Sequence, residues 1–144
     1  MKESTMNTKN TLIIFAMTVL LSACAGAPIP KKSEVEAADY GSKPSSEYAQ
    51  ELVRQYMAKR LYDPYSATFT CTEPLRAWAS GSIMVHAELG GRIHYGYLLH
   101  CSINAKNRFG GYVGAKGYNF MIRTVSGRSD VFEIPYELKI GIVP

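Results

Sequence analysis

Three cysteines and three histidines are the residues of this 144-residue chain with the most evident chemistry. His86, His94 and His100 occupy even positions of two neighbouring predicted strands. If the strand register aligned them, they could act together as zinc ligands, with Glu88 nearby. No His-x-x-x-His or Cys-x-x-Cys spacing accompanies them. Separate histidines on the polar face of a sheet are more often ordinary surface residues, so the sequence predicts no metal site and no cofactor.

Catalytic signatures are also missing from the sequence. The hydrolase elbow Gly-x-Ser-x-Gly does not occur. Glu73, Glu88 and Glu133 are too scattered to identify the pair of carboxyl groups that glycoside hydrolysis requires. The sequence therefore predicts that this protein is not an enzyme.

The N-terminus has the layout of a secretory signal peptide. Lys2 and Lys9 precede an uncharged apolar run over residues 11–21, which is too short to span a bilayer. The run ends in Leu-Ser-Ala-Cys at residues 21–24, which resembles the lipobox of bacterial lipoproteins. The resemblance implies that residues 1–23 are a signal peptide and that Cys24 becomes the lipidated N-terminus. Translation from Met6 would leave Lys9 as the positive charge of this leader.

The same resemblance implies a cellular location. In lipoproteins of enterobacterial type, aspartate after the lipidated cysteine signals retention in the inner membrane. Ala25 stands at that position, so we expect a periplasm-facing lipoprotein of the outer membrane, attached by acyl chains. The formal net charge of +4 is small and its cations are scattered, which argues against nucleic acid as a partner.

With Cys24 taken by lipid, Cys71 and Cys101 remain as a pair in an oxidising compartment. Both fall on the apolar side of predicted strands, so we expect a disulfide between them. It would close a loop of about 30 residues and stabilise the fold by roughly 3–4 kcal/mol. The alternative is two buried free thiols.

A single helix is predicted over residues 45–62. Ser45 and Ser46 are candidate N-caps, apolar residues recur at three- and four-residue spacings, and Asp63-Pro64 ends the pattern. The preceding residues 24–44 contain three prolines and few large apolar side chains, so they read as a lipidated N-terminus followed by a flexible linker.

After Pro64 the apolar period changes to two, which indicates strands. Alternation marks strands at residues 67–72, 83–89, 93–103, 112–125 and 131–136, with Gly90-Gly91 as a hairpin turn and residues 126–130 as another. The predicted fold is therefore a single α+β domain over residues 45–144. One N-terminal helix packs on an antiparallel sheet of about four to five strands in two layers.

Two motifs in this domain suggest a family. Residues 61–69 contain the pattern DP-x-SA-x-F, and residues 104–118 contain NAKN-x-x-GGY-x-G. Together they resemble a domain of small proteobacterial lipoproteins and secreted proteins, over roughly residues 48–123. That family has no assigned activity, so the resemblance implies a shared fold and identifies no catalytic residue.

The second motif is also the best candidate for a binding surface. Its glycines permit unusual backbone angles, and its aromatic and basic side chains suit a glycan, a peptide stem or a protein. The candidate residues are Asn104, Lys106, Asn107, Arg108, Tyr112, Lys116 and Tyr118. The same segment could instead be a hairpin whose asparagines only hold the loop.

From these features we expect a lipid-anchored envelope protein that binds or scaffolds, with envelope proteins or peptidoglycan as possible partners. The alternatives are an accessory subunit of a secretion or conjugation machine and, less favoured, an enzyme that acts on peptidoglycan.

Overall fold

A computed structural model describes residues 26–81 and 91–144 of the chain. These residues form, in order, α1 (Lys32–Ala37), α2 (Ser46–Ala58), β1 (Asp63–Cys71), β2 (Leu75–Ser80), β3 (Ile93–Lys106), β4 (Lys116–Val125), β5 (Arg128–Ile134) and β6 (Lys139–Ile142). The predicted α+β class is confirmed, but the described part has two helices and six strands rather than one helix and four or five strands. The predicted signal peptide, Cys24 and the strand at residues 83–89 lie outside the described residues.

No helix within residues 26–81 or 91–144 is long and apolar enough to cross a membrane.

Helix α2 covers one face of the sheet. The Ser45 hydroxyl accepts the N–H of Tyr48 at 3.2 Å, which satisfies one of the free donors at the helix start. The helix ends at Ala58 rather than at the predicted Tyr62. Its apolar stripe packs on the central strands and forms the main core, whose buried members are Ala49, Val53, Met57, Leu99, Cys101, Ile103, Phe120 and Ile122.

The sheet is antiparallel, with the strand order β5-β4-β3-β2-β6 and with β1 paired to β3. The long β3 lies at the centre: β4 occupies one side, while β2 and β1 share the other side, one after the other. Between β4 and β5 the backbone turns tightly, because Ser126 and Gly127 both adopt positive φ angles of 51° and 76°. The turn is therefore shorter than predicted, and β5 begins at Arg128.

The second face of the sheet is partly buried as well, which strict alternation along β3 did not predict. Strands β5 and β6 lie at opposite edges, so residues 135–138 must cross a face to connect them. Leu138 lies in this crossing and Ile134 directly before it. Both are buried in one cluster with Leu98 and Met121. Burial of apolar area on both faces gives the small domain a second core.

Residues 26–44 differ from the flexible linker that their composition predicts. They contain α1, and Tyr40 is only 6% exposed because its ring packs edge-on against Tyr95 of β3. The N–H of Ser42 donates to the Thr124 carbonyl at 2.9 Å, which extends the contact to β4. One buried aromatic ring and a few backbone bonds therefore hold a segment that is poor in large apolar residues.

Candidate binding surface

The predicted disulfide between Cys71 and Cys101 is confirmed. The two residues face each other directly across β1 and β3. Cys101 is fully buried and Cys71 packs against the main core, so the bond lies beneath α2. It joins the strand that follows the helix to the central strand of the sheet, close to the middle of the domain.

The histidines do not converge within the described residues. His94 and His100 lie on the same face of β3, but the His94 ring contacts Phe132, with centroids 5.3 Å apart. The His100 Nδ1 lies 2.9 Å from the Asn119 Oδ1. His86 lies outside the described residues. Residues 26–81 and 91–144 hold no group of three His, Cys, Asp or Glu side chains that could bind a metal ion.

Asn107 organises the loop between β3 and β4. Its Oδ1 accepts the N–H groups of Phe109 at 2.9 Å and Gly111 at 3.2 Å. Its backbone N–H donates to the Gly111 carbonyl, and Gly110 adopts a φ of 81° that favours glycine. This predicted binding residue therefore has a clear structural role, which is to hold the loop in place.

A groove of about 180 Å³ lies between this loop and the residues that follow α2. It brings together Lys106, Asn107, Lys116 and Tyr118 from the predicted surface. The opposite wall is formed by Arg60, Leu61 and Tyr62, and Val113 and Gly114 complete the rim. The wall that follows α2 was not included in the predicted surface, although Leu61 and Tyr62 belong to the first motif.

Three predicted residues lie outside the groove lining. The Tyr112 hydroxyl donates to the Ser66 carbonyl at 3.1 Å, so its ring leans toward β1. The Arg108 guanidinium lies 4.7 Å from the centre of the Phe109 ring. Asn104 points to the face of β3 opposite Tyr118, and its Oδ1 is buried with no hydrogen-bond partner among the described residues.

The exposed side chains at this end of the domain are aromatic and cationic. We define the end surface by its apolar residues Tyr62, Tyr65, Phe109, Tyr112 and Val113 and its cations Lys59, Arg60, Lys106, Arg108 and Lys116. Tyr65 is completely exposed, and Phe109 is 79% exposed. The corresponding segments, residues 59–66 and 104–118, contain a single carboxylate, that of Asp63.

This composition suits recognition of a ligand. Tyrosine and arginine are among the residues that most often carry binding energy at protein interfaces, and phenylalanine is enriched there as well. Lys106 lies 5.7 Å from the centre of the Tyr112 ring, so the cations also lie close to the aromatic faces. A ligand with flat or apolar groups and negative charge would satisfy both kinds of side chain at once.

Comparison with known protein families, curated proteins and solved structures finds no match for this chain.

Proposed function

We propose that this protein is a periplasm-facing lipoprotein of the outer membrane, anchored through Cys24, whose domain binds a negatively charged partner through the end surface. The observation that carries the proposal is the concentration of exposed aromatic side chains and five cations, with one carboxylate, at one end of the domain. Such a cluster is costly to leave in water and attracts anions.

The disulfide supports a location outside the cytoplasm. Disulfides persist in oxidising compartments and are rare where glutathione keeps thiols reduced. The Cys71–Cys101 bond therefore agrees with the export that the lipobox at residues 21–24 implies.

The position of Pro28 in the fold indicates which end of the domain would lie near the membrane and which would face away from it. The Ser80 hydroxyl donates to the Pro28 carbonyl, and Ser80 pairs with Ile93 at the start of β3. The end surface includes Lys106 at the other end of this 14-residue strand, whose full length is at most roughly 45 Å at 3.3 Å per residue. Cys24 precedes Pro28 by four residues, which span at most roughly 14 Å. A lipid on Cys24 would hold the start of β3 near the membrane and direct the end surface toward the cell wall.

Peptidoglycan is the first partner to test, because its peptide stems carry carboxylates and its strands lie on that side of the membrane. The full chain in detergent would be sedimented with purified sacculi. We expect the wild type to sediment and the double variant Lys106→Glu/Arg108→Glu to lose at least ten-fold in apparent affinity. Arg92→Glu/Lys139→Glu is the matched control, since it reverses two charges at the opposite end of the domain, where Arg92 precedes β3 and Lys139 pairs with Ser80.

Equal sedimentation of the wild type and the double variant would contradict a role for the end surface. If sacculi are not bound, photo-crosslinking from position 112 in cells would detect a protein partner. A crosslinked protein that disappears in the double variant would support the end surface with a different partner. No binding to either would overturn the proposal.

A further inference from the structure

Strand β1 has an open edge that the end surface does not explain. Within residues 26–81 and 91–144, β1 pairs only with β3, and β6 pairs with β2 instead of continuing alongside β1. The strand is nine residues long and has no lysine or arginine that would discourage pairing along its edge. Its edge-protecting features are Asp63, Pro64 and an irregular register between Asp63 and Thr68, and all of them precede the regular ladder with β3, which covers Thr68–Cys71.

The ladder geometry shows which backbone groups are free. Cys71 and Cys101 have Cα atoms 4.1 Å apart, the close spacing of a pair that exchanges no backbone hydrogen bonds. The next residue, Thr72, donates its N–H to the His100 carbonyl at 2.9 Å. By the alternation of an antiparallel ladder, the N–H and C=O groups of Phe69 and Cys71 point away from β3. They form a template for one further strand.

A groove runs along this edge, between β1 and α2. It consists of two adjoining depressions of about 390 and 350 Å³ that share Glu51 and Arg54. Phe69 and Cys71 form part of its lining on the strand side, and the Arg54 guanidinium lies 4.6 Å from the centre of the Phe69 ring. An added strand would lie about 4.8 Å from β1 with one row of side chains against the helix.

The charge of the lining indicates what such a strand should carry. Glu47, Glu51 and Glu73 line the groove, and Arg54 is the one cation in its lining. The lining therefore has a formal excess of two negative charges. Two copies of the chain that paired through β1 would bring two acidic grooves together, and the repulsion disfavours that arrangement.

We propose that β1 accepts an extended peptide with basic side chains, which adds to the sheet as a strand in the groove between β1 and α2. Backbone hydrogen bonds supply affinity in this mode of recognition, and pockets for alternate side chains supply specificity. The groove adjoins the end surface at Tyr65, which belongs to both, but none of the cations of the end surface lies in the groove lining.

The test uses three capped decapeptides of alternating valine and lysine and the full chain in detergent, with binding followed by fluorescence anisotropy. One peptide is unmodified, and the other two are N-methylated at odd or at even positions. Strand addition places every second peptide N–H against β1. We therefore expect one methylated peptide to lose at least ten-fold in affinity and the other to bind within three-fold of the unmodified peptide. Equal binding by both methylated peptides would overturn the proposal.

Charge reversal in the groove provides the second measurement. Glu51→Lys/Glu73→Lys should weaken binding of the unmodified peptide at least ten-fold, whereas Glu137→Lys, in the exposed turn between β5 and β6, should leave it unchanged. A melting temperature within a few degrees of the wild type establishes that each variant is folded. Sedimentation equilibrium that shows a stable dimer, lost in the double variant, would assign the edge to a second copy and contradict the peptide proposal.

Discussion

Tyr40 packs edge-on against Tyr95, with ring centroids 5.5 Å apart, and this contact joins the N-terminal segment to the central strand. The Arg76 guanidinium lies 5.2 Å from the centre of the Tyr40 ring. The Tyr40 hydroxyl donates to the Val35 carbonyl at 2.7 Å and so also holds the end of α1. Together with the Ser80–Pro28 hydrogen bond, this side chain holds residues 26–44 on the domain.

Tyr40→Ala should therefore lower the free energy of unfolding by about 2–3 kcal/mol, since a buried aromatic ring and its packing partners are lost. Urea denaturation of the full chain measures the change. Tyr65→Ala is the control: its side chain is completely exposed, so the expected change is below about 0.5 kcal/mol. Equal stability of Tyr40→Ala and the wild type would show that the Tyr40 ring does not stabilise the fold.

The docking of residues 26–44 on the sheet should weaken in acid. The N–H of Gly41 donates to Asp39 at 2.8 Å and lowers the pKa of that carboxyl, and the Arg123 guanidinium at 3.0 Å lowers the pKa further. A carboxyl whose pKa is lowered by folding stabilises the native state above its unfolded pKa of about 3.9, and this contribution is lost as the pH falls through the lower folded value.

The Ser42 amide, which bonds to Thr124, reports this step in an NMR titration. We expect its chemical shift to move below about pH 4 in the wild type. In Asp39→Asn the shift should stay constant over the same range. A transition that is the same in both proteins would assign the effect to another group.

Loss of the disulfide should destabilise the domain by about 3–4 kcal/mol, because the bond closes a loop between residues 30 positions apart. Cys71→Ala/Cys101→Ala would be compared with the wild type by thermal and urea unfolding. Dithiothreitol should lower the stability of the wild type and leave the double variant unchanged. A wild type insensitive to reductant after complete reduction, verified by mass spectrometry, would contradict this expectation.

Asn107 should matter for loop structure through its side-chain oxygen. Asn107→Ala removes the acceptor for two backbone N–H groups and should cost about 1 kcal/mol, while Asn107→Asp keeps an acceptor and should cost less. Hydrogen exchange of the Gly111 amide measures the difference. Faster exchange in Asn107→Ala alone is the expected result; equal exchange in both variants would mean that the side chain does not hold the loop.

The Asn104 side chain, unlike that of Asn107, should not stabilise the domain. Its Oδ1 is buried without a partner among the described residues, so Asn104→Val should be neutral or up to about 1 kcal/mol stabilising. Asn119→Val, which removes the hydrogen bond to His100, serves as the comparison and should destabilise. A loss of stability in Asn104→Val that exceeds the loss in Asn119→Val would show that the Asn104 side chain has a partner in solution.

The parts of the site that could be predicted from the sequence are those defined by local composition. The motif at residues 104–118 identified the loop, and Lys106, Asn107, Lys116 and Tyr118 do share a groove. Its other wall, from Arg60 to Tyr62, required the residues that follow α2 to contact that loop across more than 40 positions of sequence. No local pattern encodes such a meeting.

The sequence by itself determined the class of the fold, the capped helix α2, the alternating strands β1, β3 and β4, and the pairing of Cys71 with Cys101. The fold class, the helix and the strands depend on residue periods that can be read from near neighbours along the chain. The cysteine pairing joins residues 30 positions apart and follows instead from which cysteines remain once Cys24 is assigned to the lipid. Only the tertiary structure decided that residues 26–44 dock on the sheet, that β5 and β6 enclose a second core, and that no other strand of residues 26–81 and 91–144 pairs with the free edge of β1. These features arise from contacts such as that of Tyr40 with Tyr95, whose energy depends on which distant surfaces meet and not on the local pattern.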